Sequence, residues 1–513
     1  MMRQYETFEL TFKGNAPEEN WVNVDLSATF RWGDTEKTVK GFYAGEDTYK
    51  IRFLPECTGT YKWKVDTSLE LNGRLAGEEI CEPAAEGRHG KVVVNGLHFA
   101  YEDGKRYMPF GTTVYALAHQ EDALIAQTFE TLAKAPFNKV RLCLFPKSYD
   151  FNQNDPQFYA FEKKEEGWNV QHPCMEFWDH FEECLRKMDA LGIEADLILF
   201  HSYDRWGFSK LTKEEALTYL DYLVRRFAAF PNMWWSLANE YELVTAFEEE
   251  WWQEFAEFIY ANDPYRHLLS NHNILKLWDF SKPETSHCCI QDNNVIRVPD
   301  MQKIYQKPVI YDECCYEGNI MYPWGNISGQ EMVNRFWLAV TMGGYCTHGE
   351  TFCDDNDVLW WAKGGVLKGQ SAPRIAFLRE LVESLPGDLK YEQTTLEDAV
   401  EKAAAGEPEK AANPFLETFG QIVCKESILR QHDLLDKERL VMGHCNEEAY
   451  LRYFRNQCAA QGELWLPEEH KYTVEVIDTW EMTRKEVLHG VSGHVVFDLP
   501  GKPGMAALAL IEG

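Results

Sequence analysis

The sequence predicts a (β/α)8 TIM barrel flanked by an N-terminal immunoglobulin-like β-sandwich and a C-terminal all-β sandwich. Three observations lead there. Eight short apolar runs alternate with helical stretches through the middle of the chain. No GxGxxG or GxxxxGK(S/T) loop follows any of these runs, which leaves a doubly wound nucleotide-binding sheet as the weaker alternative. Both ends of the chain show period-2 alternation instead, the mark of half-buried strands.

The first domain covers residues 1–92. Val22, Val24, Leu26, Ala28 and Phe30 alternate with more polar residues, as do Tyr49, Ile51 and Phe53, then Tyr61, Trp63 and Val65. Gly and acidic clusters separate the runs, as in an antiparallel sandwich. Residues 93–390 carry the barrel. Strands are expected at 107–113, 139–145, 195–200, 233–237, 268–271, 288–291, 309–311 and 344–347, with helices at 123–135, 175–191, 213–229, 247–262 and 329–339. Residues 391–513 form the last domain. An Ala-, Glu- and Lys-rich run at 394–414 reads as a helix or a surface insert. After residue 420 strands return at 440–443, 450–454, 462–466, 472–478, 495–499 and 506–511.

With 513 residues the chain is too long for one ordinary domain. Its net charge of −31, from 51 basic and 82 acidic residues, argues against nucleic acid and anionic membrane as partners. The start, Met1-Met-Arg-Gln-Tyr-Glu-Thr, has no apolar leader core, and no stretch is long and apolar enough to span a bilayer. The 14 Cys are scattered without CxxC pairs or zinc-like Cys/His spacing. Free thiols fit a reducing compartment, so a cytoplasmic location is expected. The 17 Trp suit either an aromatic core or platforms for sugar C–H faces.

One segment stands out, Asn232-Met-Trp-Trp-Ser-Leu-Ala-Asn-Glu-Tyr241. An apolar strand stops at the polar pair Asn239-Glu240. In a parallel barrel all strand ends open onto one face, where the chemistry sits. Pro308-Val-Ile-Tyr-Asp-Glu313 ends in a second glutamate. Other candidate strand ends are polar too: His201 and Tyr203, Asn271 to Asn273, Gln291 and Asp292, His348 and Glu350, with Arg141 inside the second strand. Two glutamates across a barrel mouth suit glycosidic-bond hydrolysis, one protonated to assist the leaving oxygen and one ionised at the anomeric carbon. A carboxyl separation of about 5–5.5 Å accompanies retention, and roughly 6.5–9.5 Å inversion. Because successive strand residues face opposite ways, Asp312 and Glu313 are not expected to point the same way.

Asn239-Glu240 on the fourth strand with Glu313 on the seventh resembles clan A of the retaining glycoside hydrolases. The resemblance implies Glu240 as acid/base, Glu313 as nucleophile, Asn239 as partner of the sugar 2-hydroxyl, and Arg141 and His201 as supports of the nucleophile and the sugar subsite. The central region is similar to the apiosidase-like family through Met108-Pro-Phe-Gly-Thr-Thr113, Phe137-Asn-Lys-Val-Arg-Leu142, Trp234-Trp-Ser-Leu-Ala-Asn-Glu240 and Gly344-Tyr-Cys-Thr-His-Gly-Glu-Thr351. In that family such a barrel often lies between a small β domain and a β-sandwich.

The expectation is therefore a retaining glycosidase with a carbohydrate substrate, no cofactor and no metal, acting in exo fashion on small glycosides or oligosaccharides. Substrate contacts are expected from Asn239, Arg141, His201, Tyr203, Asn273, Asp292, Trp324, His348 and Glu350. Trp324 and Trp360-Trp361 suit sugar platforms or packing under loops. Asp354-Asp-Asn-Asp357 lacks the spacing of an EF-hand and reads as solvated acids. A non-catalytic sugar-binding barrel is the alternative, disfavoured by the complete glutamate pair. A metal-dependent reaction would draw on His201, His272, Asp292 and His348. Association of copies into a homo-oligomer through the β appendages stays open.

Overall fold

The computed structural model describes residues 2–356, 358–405 and 414–512. Asp357 of the acidic run and residues 406–413 of the Ala/Glu/Lys-rich run lie outside the described residues. The chain divides into two compact units. One comprises Met1–Asp292, Tyr305–Ile327 and Thr347–Gly369, the other Asn293–Ile304, Ser328–Cys346 and Gln370–Gly513.

The first unit opens with two sheets, antiparallel except where the short edge strand Met2–Arg3 runs parallel to Ala76–Glu82. One has five strands in the order Met2–Arg3, Ala76–Glu82, Gly59–Thr67, Leu26–Trp32, Thr35–Lys40. The other pairs Phe8–Lys13 and Phe42–Tyr43 with Thr48–Phe53. Phe30 of the first sheet stacks on Phe53 of the second, with ring centroids 4.0 Å apart. Inward residues of both sheets thus share one core, as a sandwich requires. The sandwich is fastened to barrel helices by Arg52, which is 2 % exposed and donates to Glu182 at 2.7 Å and to the Arg226 carbonyl at 2.9 Å.

The barrel strands are β1 (Gly111–Thr113), β2 (Lys139–Cys143), β3 (Glu194–His201), β4 (Met233–Asn239), β5 (Leu268–Ser270), β6 (Cys288–Gln291), β7 (Val309–Glu313) and β8 (Tyr345–His348). They form one sheet in the order β5-β4-β3-β2-β1-β8-β7-β6. A parallel bridge between His272 and Cys289 joins its two edges. This is the expected (β/α)8 barrel. The first expected strand is shorter than drawn, because Pro109 has no N–H to give and splits it into Arg106–Tyr107 and β1. Helices Asp122–Leu132, Met175–Ala190, Lys213–Phe227 and Glu249–Asn262 follow strands in the first unit. Lys213–Phe227 begins with a capping box in which Thr212 and Glu215 satisfy each other's backbone N–H groups. Strand interiors buried on both faces normally read as apolar runs. Here β2 instead carries Lys139 and Arg141, both fully buried.

The second unit holds helices Val298–Tyr305, Gly329–Thr341 and Ser371–Glu383 and the C-terminal β domain. Its main sheet has six strands, in the order Lys390–Tyr391, Val441–Cys445, Ala449–Tyr453, Met505–Ile511, Tyr472–Asp478, Thr483–Val491. A separate ribbon pairs Gln461–Leu466 with Gly493–Asp498. Phe454, Leu464, Tyr472, Val474 and Phe497 lie in the core between them. The sequence reading missed Thr483–Val491, a charged edge strand with no buried face to create alternation. It also missed helix Ile428–Glu438, whose N-terminus Ser427 caps. No helix among the described residues is long and apolar enough to cross a membrane.

Candidate active site

Glu240 is the first residue past β4 and adopts φ 52°, ψ 61°. A non-glycine residue in this left-handed region costs about 1–3 kcal/mol, and such strain persists where the surroundings over-determine it. Here they do. The Glu240 N–H donates to His272 Nδ1 at 3.3 Å, the Tyr203 phenol donates to its Oε2, and Gln291 Nε2 donates to its Oε1 at 3.1 Å. The strand end thus aims the carboxyl between the ends of β3 and β6. Glu240 is 5 % exposed. Burial pushes its carboxyl up, and the charge of Glu313 pushes it further, against Lys147, Tyr203 and Gln291.

Glu313 ends β7. Its Oε1 accepts from the Tyr115 phenol, lies 3.4 Å from Arg141 Nη1 and faces His272 Nε2 at 3.8 Å. Burial holds His272 neutral, with its pKa well below the usual histidine value. Its Nδ1 accepts the Glu240 N–H, so the ring proton resides on Nε2, toward Glu313. The Tyr115 phenol also reaches Asn239 Oδ1 at 2.8 Å. One phenolic proton is thus shared between Asn239 and Glu313, and the Asn239 amide N–H groups are left to donate.

Below this mouth lies an ionic layer. Lys139 Nζ is 2.7 Å from Asp196 Oδ2 and 2.6 Å from Asp312 Oδ1, and Arg141 Nε is 3.6 Å from Asp196. Thr347 donates to Asp312 at 2.7 Å. Burial alone would raise the Asp312 carboxyl, but Lys139 and Arg141 hold it well below the usual carboxylate range. The expectation that Asp312 and Glu313 face opposite ways is corrected here. Ile290 pairs with Tyr311, yet Gln291 pairs with Glu313, so β7 carries one extra residue at Asp312. This bulge turns both carboxylates inward, with Asp312 one layer deeper.

The other expected substrate contacts fall into distinct places. Tyr203 bonds Glu240 and Arg141 bonds Glu313, as described. His201 stands beside Asn239 in the register and is 3 % exposed. Burial, then the Lys147 charge, pushes its imidazole down to about 4. The neutral ring donates from Nε2 to the Phe145 carbonyl at 3.1 Å, and its Nδ1 has no protein partner. The Asn273 side chain both donates to and accepts from the Gln291 backbone, at 3.2 Å each. It therefore holds Gln291 against Glu240. Asp292 is exposed on the loop after β6, its N–H donating to the Glu313 carbonyl at 3.1 Å.

Trp324 is half-buried. One face is covered by Tyr322, stacked at 5.6 Å and 5°, and it packs on Trp361 at 5.1 Å within an aromatic cluster that includes Phe151. His348 and Glu350 do not join the mouth. Thr347 points inward to Asp312, so His348, the next strand residue, faces out. There His348 stacks on Phe137 at 4.6 Å and meets Thr112 Oγ1 at 3.0 Å. Glu350 accepts from the Lys368 and Gly369 N–H groups at 2.7 and 3.0 Å. Together with Glu317 these two form a buried group whose donor atoms lie within 4.8 Å of one another. It is the one converging ligand set among the described residues. His201, His272, Asp292 and His348 form no such set.

Two residues at the mouth escaped the sequence reading. Tyr115 lies just past β1 and Lys147 just past β2. Position after a strand end was their only available signal.

The apiosidase-like catalytic-domain family matches residues 94–388. Two domains of unknown function match the flanks, DUF5060 at 1–68 and DUF5605 at 439–508. No curated protein matches the chain. Among solved structures, a Bacteroides vulgatus protein assigned as a glycoside hydrolase is 32% identical, covering 100% of this chain and 99% of its own, with a TM-score of 0.85. A further glycoside hydrolase (15% identity, 83% and 97% covered, TM-score 0.60) shares the fold. So does a family 5 glycoside hydrolase from Bacteroides vulgatus (14% identity, 83% and 93% covered, TM-score 0.60). With the family matched over its whole barrel and a full-length relative at 32% identity, the chain belongs to the apiosidase-like family.

Proposed function

We propose that this protein is a retaining glycosidase in which Glu240 is the acid/base and Glu313 the nucleophile. The observation that carries the reading is the contrast between the two carboxyls. Burial and a neighbouring negative charge favour the protonated form of Glu240. Glu313 sits among the Tyr115 phenol, the Arg141 guanidinium and the Nε2 face of His272, donors that suit a carboxylate. Such divergent environments divide acid and nucleophile roles between two glutamates.

In the first step a Glu313 oxygen bonds the anomeric carbon as the glycosidic C–O bond breaks, and Glu240 gives its proton to the departing oxygen. Asn239 Nδ2 donates to the sugar 2-hydroxyl. In the second step Glu240, now ionised, takes a proton from water as that water's oxygen attacks the anomeric carbon. The ester to Glu313 breaks and the acid/base is restored. Two displacements return the original configuration. The apiosidase-like match and the full-length relative assigned as a glycoside hydrolase support the class; the sugar is for experiment to name.

The test is a screen of aryl glycosides and plant oligosaccharides with Glu240→Gln as control. Proton NMR reads the first-formed anomer, and product analysis reads whether single sugars are released from one end, as exo action requires. Turnover equal in wild type and Glu240→Gln, or an inverted first product, overturns the assignment. A 2-fluoro glycoside with an activated leaving group should leave its sugar on Glu313.

A further inference from the structure

Lys147 is a buried cation that the two-glutamate scheme leaves unused. It follows β2, is 2 % exposed, and its carbonyl is held by Asn152 Nδ2 at 2.7 Å. Among the described residues its ammonium makes no ion pair and no hydrogen bond to a protein oxygen. Its neighbours are rings. Nζ lies 3.4 Å from the Tyr115 ring centroid and 4.2 Å from that of Tyr203, with Tyr149 at 4.9 Å and Trp361 at 5.5 Å. Buried charges are normally paired with an opposite charge. Here the negative faces of aromatic rings take that part.

The two nearest rings are the two whose phenols hold the glutamates. Tyr115 donates toward Glu313 and Tyr203 donates to Glu240. A positive charge on a phenol's ring face draws electron density from the ring and makes the O–H a stronger donor, as charges polarise chained hydrogen bonds in a low-dielectric interior. We propose that Lys147 is a positioning residue that serves both carboxylates at once: a single ammonium against Tyr115 and Tyr203 strengthens each phenol's hold on its glutamate. This rests on the glycosidase reading and adds to it a device that links the two groups as they exchange charge between the two displacements.

The arrangement has a direct electrostatic consequence. The groups that face Glu240 are Tyr203 from the end of β3, His272 from β5, Gln291 from β6, Glu313 from β7, and Lys147. Lys147 is the cation among them, and its charge opposes the upward push of burial and Glu313. The charged and titratable groups facing Lys147 itself are Cys143 and Arg141 on β2, His201 at the end of β3, His272 after β5 and the two glutamates, beside the tyrosines. Burial pushes the ammonium down from the usual lysine value, which the pull of the glutamates resists.

The experiment follows the Glu240 carboxyl by carbon NMR in full-length protein carrying carboxyl-labelled glutamate, the resonance being the one lost in Glu240→Gln. Lys147→Met should raise its titration midpoint by about one pH unit, a tenfold change in the ionisation constant. Lys147→Arg, which keeps the charge, should stay near wild type. In a Tyr203→Phe background the Lys147→Met shift should shrink, because part of it passes through the phenol. If Lys147→Met lacks native near-ultraviolet circular dichroism, Lys147→Gln carries the same expectation. A folded, uncharged variant with an unmoved midpoint overturns the proposal, and an equal shift in both backgrounds overturns the route through Tyr203. No substrate is needed, so an absence of glycoside turnover counts against the glycosidase reading alone.

Discussion

Asp312 and Glu313 are consecutive in β7, yet their carboxylates meet Lys139 and Arg141, which lie on one face of β2. The extra residue between the pairs Ile290–Tyr311 and Gln291–Glu313 makes this arrangement. It stacks a structural carboxylate beneath the proposed nucleophile, so the ion layer and the reacting layer of the barrel are one residue apart. Asp312→Ala should leave Lys139 buried with Asp196 as its remaining partner. Truncating one member of a buried ion pair costs about 3–5 kcal/mol, to be read by urea unfolding at pH 7. The Asp312 carboxyl is held below its unfolded value of about 3.9. Its stabilisation is therefore present above that pH and is lost as pH falls through the lower folded value. Equal unfolding midpoints for variant and wild type would refute this role.

Glu240→Gln and Glu313→Gln should both fold and lose turnover by about a hundredfold or more. The two are expected to differ with leaving group. An activated aryl glycoside needs no proton, so Glu240→Gln should still form the glycosyl-enzyme and Glu313→Gln should not. Burst kinetics separate them, and a burst in the Glu313 variant would reverse the assignment.

The basic limb of kcat/KM should lie above the ordinary glutamate range, since burial and Glu313 both raise Glu240. Tyr203→Phe removes a donor that favours the ionised form, so it should move that limb to still higher pH. A shift to lower pH would contradict the hydrogen-bond scheme.

Glu194 sits at the start of β3, 4 % exposed, accepting from Trp234 Nε1 at 3.0 Å. Burial pushes its carboxyl up from 4.5 to about 8. A raised folded value means its contribution is fully present below 4.5 and is lost as pH rises through 8. Between those values each pH unit removes about 1.4 kcal/mol, on the order of a few kcal/mol in all. Glu194→Gln should flatten the fall in Tm from pH 5 to pH 9. A Tm profile that keeps the wild-type slope would remove Glu194 as its source.

Glu182 gathers Arg52 of the N-terminal sandwich with Arg226 and Arg186 of the barrel helices, at 2.7, 3.1 and 2.8 Å. Against the upward push of burial, Arg52 and Arg226 bring its carboxyl down to about 2. Its stabilisation is present above 4.5 and is lost as pH falls through 2. Glu182→Gln should cost about 3 kcal/mol at pH 7, and the gap to wild type should close as pH falls from 5 to 2. A gap constant across that range would assign the loss to packing instead of charge.

Much of the architecture was legible because it is written in local pattern. Eight apolar runs spaced by helices imply the barrel, and the polar residues that end β4 and β7 mark Glu240 and Glu313, since strand polarity alone decides which end opens to the mouth. What a residue touches is a different matter. Tyr115 and Lys147 are single residues after strand ends, and Lys139 and Asp196 interrupt apolar strands in a way no period announces. They acquire meaning when β1, β2 and β3 close around one axis. Likewise Asn273 bonds the Gln291 backbone, and Tyr322 covers one face of Trp324.

By itself, then, the sequence determined the barrel between two β regions and the strand ends at which Glu240 and Glu313 stand, because hydrophobic periodicity and strand direction are properties of consecutive residues. Only the tertiary structure decided which side chains face the lumen. Facing depends on register, and one inserted residue is enough to change it. The bulge at Asp312 brings a second carboxylate inward, and the unbroken alternation of β8 sends His348 out to Phe137.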